Sequence, residues 1–168
     1  YAVDPYGHQV EDREVLNDSV EVLFIGGGFS ALLTSARLRE KGVESIRIVE
    51  RGADVGGTWY WNRYPGVACD VVAYDYLPLL DETGYVPSRH YAGGQEIYEY
   101  CKMIAERFDL YDLAVFGTTV TSTVWDEESE TWIVETDQGD TMRARFVVCA
   151  NGTLSKPRLA KIDGVDQF

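Results

Sequence analysis

Strand-like and helix-like hydrophobic patterns alternate over the first fifty positions of the chain. Ser19 to Ile25 is a short run of β-branched and apolar residues, typical of a buried parallel strand. Between residues 32 and 41 the apolar positions recur at helical spacing, and Gly42 stands where such a helix would end. Residues 45–49 form a second strand-like run. The pattern therefore predicts a βαβ unit and, with it, a parallel sheet.

The rest of the chain has a different pattern. Residues 52–94 are rich in Gly, Tyr, Trp and Pro without a sustained period, which predicts a long ordered loop region with short helical turns. Residues 95–108 return to helical spacing. Strands are predicted at about 114–125, 131–136 and 141–149, joined by two acidic turns that we expect to be solvated. The predicted fold class is α/β: a Rossmann-like parallel sheet with crossover helices and an attached antiparallel β-meander.

The charge balance excludes some partners. The chain carries 28 acidic and 15 basic residues, for a net charge of −13. Phosphate backbones and anionic membranes both attract basic faces, so we expect neither nucleic acid nor membrane partners. No apolar run approaches the roughly 20 residues of a membrane-spanning helix, and no secretory signal pattern is visible.

Cysteine and histidine usage indicates neither a metal site nor a disulfide framework. Cys69, Cys101 and Cys149 are far apart in sequence, and only two histidines are present. Cys149 ends an apolar run, so we expect it to be a buried core thiol. The simplest interpretation is a reduced, cytoplasmic protein without a bound metal.

A glycine-rich loop follows the first predicted strand and opens the first predicted helix. Gly26, Gly28 and Ala31 occupy the positions of a G-x-G-x-x-G/A motif. The first glycine permits the tight turn, the second lets the backbone approach a pyrophosphate, and the alanine permits close packing of helix on strand. Phe29 and Ser30 lie at the helix start, where free N–H groups and the helix dipole favour phosphate. The loop therefore predicts dinucleotide binding.

Glu50 ends the second strand, about 20 residues after the loop, where a carboxylate accepts hydrogen bonds from ribose hydroxyls. Arg51 beside it is open to three interpretations: contact with a 2′-phosphate, stacking on adenine, or exposure to solvent. These residues alone do not separate FAD from NAD(P). A ligand-free glycine turn with a helix-capping Glu is the alternative explanation.

The segment GGTWYWNRYPGVACD, from Gly56 to Asp70, resembles the flavin-domain signature of flavoprotein monooxygenases. It is most similar to that of the type I Baeyer–Villiger monooxygenases. The resemblance covers the chain from Val20 to Phe168 and includes the glycine-rich loop, Glu50 and the predicted meander.

The resemblance implies a Rossmann-like FAD-binding fold and an enzyme that uses NADPH and O2. Such enzymes insert one oxygen atom beside a ketone carbonyl, giving an ester or lactone. Their F-x-G-x-x-x-H-x-x-x-W fingerprint and most of the NADPH site would lie beyond Phe168. Because the chain also begins with Tyr1 rather than Met, we expect it to be part of a longer enzyme and inactive alone. We divide it into a lead-in, 1–18, and the first segment of an FAD-binding domain, 19–168.

The resemblance also implies flavin-side residues. Gly57, Thr58 and Trp59 would offer backbone N–H, hydroxyl and aromatic contacts to the isoalloxazine, and Tyr76 is a further candidate. Asp70 matches a family aspartate that lies near the flavin and orients an arginine absent from this chain, which makes it the catalytic candidate. Without the resemblance, Asp70 reads as a turn-capping residue. Trp59 and its neighbours are expected to form an aromatic cluster (Tyr60, Trp61, Tyr64).

Two further stretches carry implied contacts. Val120 matches a position at which related flavoproteins hold adenine through backbone atoms, although a plain strand residue is the alternative. Ala150, Asn151 and Gly152 match the family's A-T-G element, with Asn in place of Thr. That element returns the chain to the pyrophosphate region.

Two other functions stay open at the sequence level. A related flavin monooxygenase that oxidises nitrogen or sulfur atoms would share the glycine-rich loop and the early flavin contacts. A non-catalytic dinucleotide-binding module would share the fold and bind no flavin. The spacing of His and Trp after Phe168 and the flavin colour of the purified protein would separate these possibilities. The ketone itself is not encoded in these residues.

Overall fold

The computed structural model describes residues 4–7, 13–153 and 161–167. The described chain forms a six-stranded sheet, and its strands, in chain order, are β1 (Ser19–Ile25), β2 (Ile46–Val49), β3 (Ala114–Val115), β4 (Val120–Asp126), β5 (Thr131–Thr136) and β6 (Thr141–Cys149). Their order across the sheet is β3–β2–β1–β6–β5–β4.

Four neighbouring strands run parallel. β1 pairs with β2 on one side and with β6 on the other, and β2 pairs with β3. The helix α1 (Phe29–Glu40) crosses from β1 to β2 and is followed by Gly42, whose φ of +83° suits the chain reversal. The predicted βαβ unit and parallel sheet are confirmed.

The other half of the sheet is the predicted antiparallel meander, in which β5 pairs with β4 and with β6. Strand β6 belongs to both halves, since its C-terminal residues pair with β1. The single strand predicted at 114–125 is wrong. Gly117 adopts a φ of +58°, which breaks the run into β3 and β4 and sends them to opposite edges of the sheet.

Helices cover one face of the parallel strands. The other α-helices of the described residues are α2 (Thr58–Trp61), α3 (Ala73–Tyr76), α4 (Leu80–Thr83) and α5 (Gly94–Arg107), with two 3-10 helices at Tyr111–Leu113 and Val165–Gln167. The long helix α5 packs against α1, α2 and α4, and its buried side chains join those of β1 and β2 in the main core. The three one-turn helices, with an isolated bridge between Ala68 and Gly93, confirm the predicted ordered loop region.

Two expectations about burial are wrong. Cys149 is exposed rather than buried, because the described pairing of β5 with β6 ends at Ala144, and β6 continues beside β1 alone. Asp140, in the turn expected to be solvated, is only 1% exposed. It is buried because Arg13 and Leu16, from the segment before β1, pack over that turn.

The segment before β1 is bonded to the sheet. Thr141 donates its N–H to the carbonyl of Leu16, and Arg143 donates to that of Asp18. The Asp18 side chain accepts from Arg47 on β2 at 2.6 Å. Among the described residues no helix is long and apolar enough to cross a membrane.

Candidate dinucleotide-binding cleft

The four parallel strands end at the same edge of the sheet. Ile25, Val49 and Cys149 are aligned in register at the ends of β1, β2 and β6, and Val115 of β3 is aligned with Val49. The residues that follow each strand line one cleft of about 330 Å³. A crevice outside the carboxyl ends of parallel strands is where open α/β sheets bind their ligands.

The glycine-rich loop forms the floor of this cleft. Gly26 has a φ of +106°, and a Cβ there would lie 2.7 Å from the carbonyl oxygen of Ala150, so a side chain is excluded. The twelve-residue helix α1 starts directly afterwards at Phe29, with no acidic residue in its first turn. Its free N–H groups and dipole therefore keep their attraction for an anion in the cleft. Ala31 lies outside the lining and is fully buried beneath the loop.

Glu50 is 5% exposed, and both of its carboxylate oxygens accept backbone hydrogen bonds. Oε2 accepts from the N–H of Gly27 at 2.6 Å, and Oε1 accepts from that of Gly52 at 2.6 Å. Burial raises the pKa of Glu50 above its ordinary value, while these two hydrogen bonds oppose the rise. The carboxylate is therefore fixed in one orientation at the cleft wall, and its remaining lone pairs are available to a ligand's hydroxyl groups.

A second glycine loop closes against the first. Gly56 donates its N–H to the carbonyl of Gly27 at 2.9 Å, and Gly57 has a φ of +53°. A Cβ on Gly57 would lie 2.9 Å from Cα of Gly28. By contrast, a Cβ on Gly28 would meet the protein no closer than 3.5 Å. A side chain on Gly28 would therefore not clash with the protein, and its absence leaves open space at the floor of the cleft.

Aromatic side chains line one end of the cleft. Trp59, on α2, is 7% exposed and donates its indole N–H to the hydroxyl of Tyr76 at 2.9 Å. Tyr76 also makes an edge contact with Phe29, and burial raises its pKa. Trp59, Tyr76 and Phe29 therefore bring α2, α3 and α1 together at one wall.

The expected aromatic cluster is only partly formed. Tyr60 contacts Trp61 edge to face, with ring centroids 5.1 Å apart, and both lie beside Trp59 on α2. Tyr64 is 61% exposed, so its inclusion in the cluster is wrong. The Arg51 guanidinium lies 4.9 Å from the ring centre of Trp61, and both residues line the cleft.

Fourteen of the sixteen residues predicted for the site line this cleft, the exceptions being Ala31 and Asp70. Val120 lies on the wall that follows β3, and Ala150, Asn151 and Gly152 follow β6. Asp70 is exposed, lies outside the lining and precedes α3, the helix that carries Tyr76.

Sequence reasoning missed several lining residues (Ile25, Gly27, Val49, Asn62, Thr118, Thr119). Ile25 and Val49 are predictable from the parallel alignment, because each ends a strand that the pattern predicts. Thr118 and Thr119 are not, because the sequence pattern does not separate the two-residue strand β3, which precedes them, from β4.

Comparisons with known proteins agree with this geometry. A family model described as an NAD(P)-binding Rossmann-like domain matches residues 25–81. A Baeyer–Villiger monooxygenase of Streptomyces coelicolor is 52% identical to this chain over 168 residues, which are 100% of this chain and 28% of that protein. The chain is homologous to the N-terminal part of Baeyer–Villiger monooxygenases. It spans less than a third of the length of this relative.

Solved structures of the same family share the fold. A polycyclic ketone monooxygenase from Thermothelomyces thermophila matches with a TM-score of 0.90 and 36% identity, over 98% of this chain and 29% of that one. The enzyme named OTEMO, solved in complex with FAD and NADP, matches with a TM-score of 0.80 and 31% identity, over 89% of this chain and 28% of its own. The Rossmann-like fold class is confirmed.

Proposed function

We propose that this chain is the FAD-binding part of an NADPH- and O2-dependent monooxygenase that converts ketones to esters or lactones. The observation that carries the proposal is the meeting of the predicted flavin residues in one cleft, at the carboxyl ends of four parallel strands. Homology to Baeyer–Villiger monooxygenases along the whole chain supports it. So do the FAD and NADP bound in the related OTEMO structure.

The residues of the cleft fit a flavin dinucleotide. The N–H groups at the start of α1, with Gly26, Gly28 and Ser30, would hold the pyrophosphate. Glu50 would accept the hydroxyls of the adenosine ribose, and the open space over Gly28 would admit the phosphate backbone. When bound, FAD supplies the redox chemistry with NADPH and O2.

The other cleft residues would position the cofactor. Gly57, Thr58, Trp59 and Tyr76 would face the isoalloxazine, because they lie at the aromatic end of the cleft. Phe29, which contacts Tyr76, would border the same end. At the opposite end a different set would border the adenosine and pyrophosphate (Arg51, Val120, Ala150, Asn151, Gly152). Ala31 would support the loop from beneath by its packing.

Asp70 would act through a partner outside this chain. Its carboxylate is exposed and precedes α3, which carries Tyr76 of the aromatic end. There it would hold an arginine from the rest of the enzyme in the orientation needed at the flavin. An oriented cation of this kind stabilises negative charge that develops during the reaction. Most of the NADPH site and the ketone site would likewise belong to the rest of the enzyme.

The domain division and location are part of the proposal. Residues 19–168 would be the first segment of the FAD-binding domain, with 1–18 as a lead-in of which Leu16 and Asp18 are bonded to the sheet. Three free cysteines, two of them buried, support a cytoplasmic location. The proposed partners are a ketone and O2, with no nucleic acid or membrane.

The test is made on the full-length protein. We expect a yellow protein with flavin absorbance and with NADPH oxidation that rises when a ketone is added, giving an ester or lactone by mass spectrometry. Oxidation of amines or sulfides without ketone conversion would support the alternative monooxygenase. A colourless protein that binds no added FAD would contradict the proposal and favour a non-flavin module.

A further inference from the structure

A buried ion pair lies behind the adenosine end of the cleft. The Asp140 side chain is fully buried, and the two terminal nitrogens of Arg13 donate to its two oxygens at 2.7 and 2.5 Å. Asp140 also accepts from the N–H of Leu16 at 2.8 Å and from the hydroxyl of Thr136 at 2.5 Å. A buried carboxylate with four donors is held in a single geometry.

The same guanidinium reaches the cleft. Nη2 of Arg13 donates to Oγ1 of Thr118 at 3.2 Å, and Thr118 is 1% exposed and lines the cleft. The backbone N–H of Thr118 donates to the carbonyl of Glu50 at 3.0 Å. One residue thus connects Arg13 to the strand end that carries the proposed ribose-binding carboxylate.

The turn that contains Asp140 also bonds to Thr119, the neighbour of Thr118 in the wall of the cleft. Thr119 donates its N–H to Oδ1 of Asp137 at 2.8 Å, and Asp137 donates its own N–H to the carbonyl of Thr119 at 2.9 Å. The wall formed by residues 118–120 is therefore fixed to the β5–β6 turn directly and, through Arg13, to the segment before β1.

We propose that Arg13 is a positioning residue of the cofactor cleft: with Asp140 it fixes the 118–120 wall in the conformation that receives the nucleotide. The inference rests on the proposed function, since it takes FAD as the ligand. A wall that is already ordered in the free protein need not be ordered on binding, which improves affinity without a direct contact.

The geometry requires arginine. The planar fork of Arg13 bonds both oxygens of Asp140 and still reaches Thr118, whereas a lysine ammonium is a single point charge on a flexible stem. Arg13→Lys therefore keeps the positive charge but cannot bond Asp140 and Thr118 at the same time. The matched control is Arg37→Lys, because Arg37 pairs with Glu40 and Glu82 away from the cleft.

The experiment uses full-length protein stripped of flavin, with the dissociation constant for FAD measured by calorimetry well below the unfolding temperature. We expect Arg13→Lys to raise this constant about tenfold, the size of a typical coupling between contacting residues. Arg37→Lys should leave it unchanged. Amide hydrogen exchange at Thr118 and Thr119 in the FAD-free protein should accelerate in the first variant only.

A double-mutant cycle separates positioning from general stabilisation. Thr118→Val keeps the side-chain shape but removes the hydroxyl that Arg13 contacts, so its effect on FAD affinity should not add to that of Arg13→Lys. Additive effects, or lowered stability with unchanged FAD affinity, would overturn the inference. Failure of the unmodified full-length protein to bind FAD would instead overturn the proposed function.

Discussion

Gly28 and Gly57 pack backbone against backbone, so that a methyl group on Gly57 would lie 2.9 Å from Cα of Gly28. The two glycines belong to different loops, one opening α1 and the other opening α2. Their contact joins the phosphate end of the cleft to its aromatic end.

Gly57→Ala tests this contact. The substitution combines a φ of +53°, which an L side chain rarely adopts, with a clash against backbone that cannot yield easily. We expect the free energy of unfolding, measured by urea titration, to fall by about 1–3 kcal/mol. Gly66→Ala is the control, because Gly66 has a φ of +83° but no atom within 4 Å of the new methyl. Equal losses in the two variants would show that strain alone, and not the contact, limits position 57.

Glu50→Gln tests the proposed ribose contact. An amide cannot accept from both Gly27 and Gly52, so one of these buried N–H groups loses its acceptor. We expect a stability loss of about 1–3 kcal/mol. FAD binding should weaken about tenfold or more in calorimetry of the full-length protein, since one ribose acceptor is also lost. Glu21→Gln, at an exposed carboxylate facing Arg145, should change neither quantity. If Glu50→Gln binds FAD as tightly as the unmodified protein, Glu50 does not contribute to FAD binding.

Asp70→Ala tests the proposed catalytic role. Asp70 is exposed, so its removal should leave the free energy of unfolding within about 0.5 kcal/mol. In the full-length enzyme kcat for ketone oxidation should nevertheless fall about a hundredfold, because an oriented cation would lose its partner. Asp75→Ala, at another exposed carboxylate a short distance along the chain, is the comparison and should keep its kcat. An unchanged kcat in Asp70→Ala would show that Asp70 only caps its turn and has no part in catalysis.

Asp140→Asn tests the contribution of the buried pair through pH. Hydrogen bonds from Arg13 hold the pKa of Asp140 well below its ordinary value of 3.8. The unfolded chain therefore takes up this proton first as the pH falls. The stabilisation is complete above 3.8 and is lost as the pH drops toward the folded pKa.

We accordingly expect Asp140→Asn to be less stable at pH 7 by about 3–5 kcal/mol, since Arg13 is left without its counter-ion. The difference in the free energy of unfolding between the variant and the unmodified protein should become smaller at pH values below 3.8. Glu127→Gln, in the exposed turn before β5, should follow the unmodified protein throughout. If this difference in the free energy of unfolding stays constant with pH, the ionised carboxylate is not the stabilising form.

The local parts of the site were predictable and the long-range parts were not. The tight turn at Gly26 and the carboxylate at Glu50 follow from spacing, because a short motif fixes a strand, a turn and a helix start together. The Arg13–Asp140 pair joins residues 127 positions apart, and no local pattern carries that information. The exposure of Cys149 depends on where a neighbouring strand ends, which its own apolar sequence does not encode.

The place of β6 in the sheet has a consequence for how the chain folds. β1 pairs with β6 in register from Ser19 to Ile25 opposite Arg143 to Cys149, so the central pairing joins residues more than a hundred positions apart. Closing so large a loop is entropically costly and slow compared with forming α5 or the β4–β5 hairpin. During synthesis β1 must wait for β6 to emerge, with one of its edges open to incorrect pairing. Substitutions that weaken β6 should therefore reduce the yield of folded protein before they affect the finished cleft.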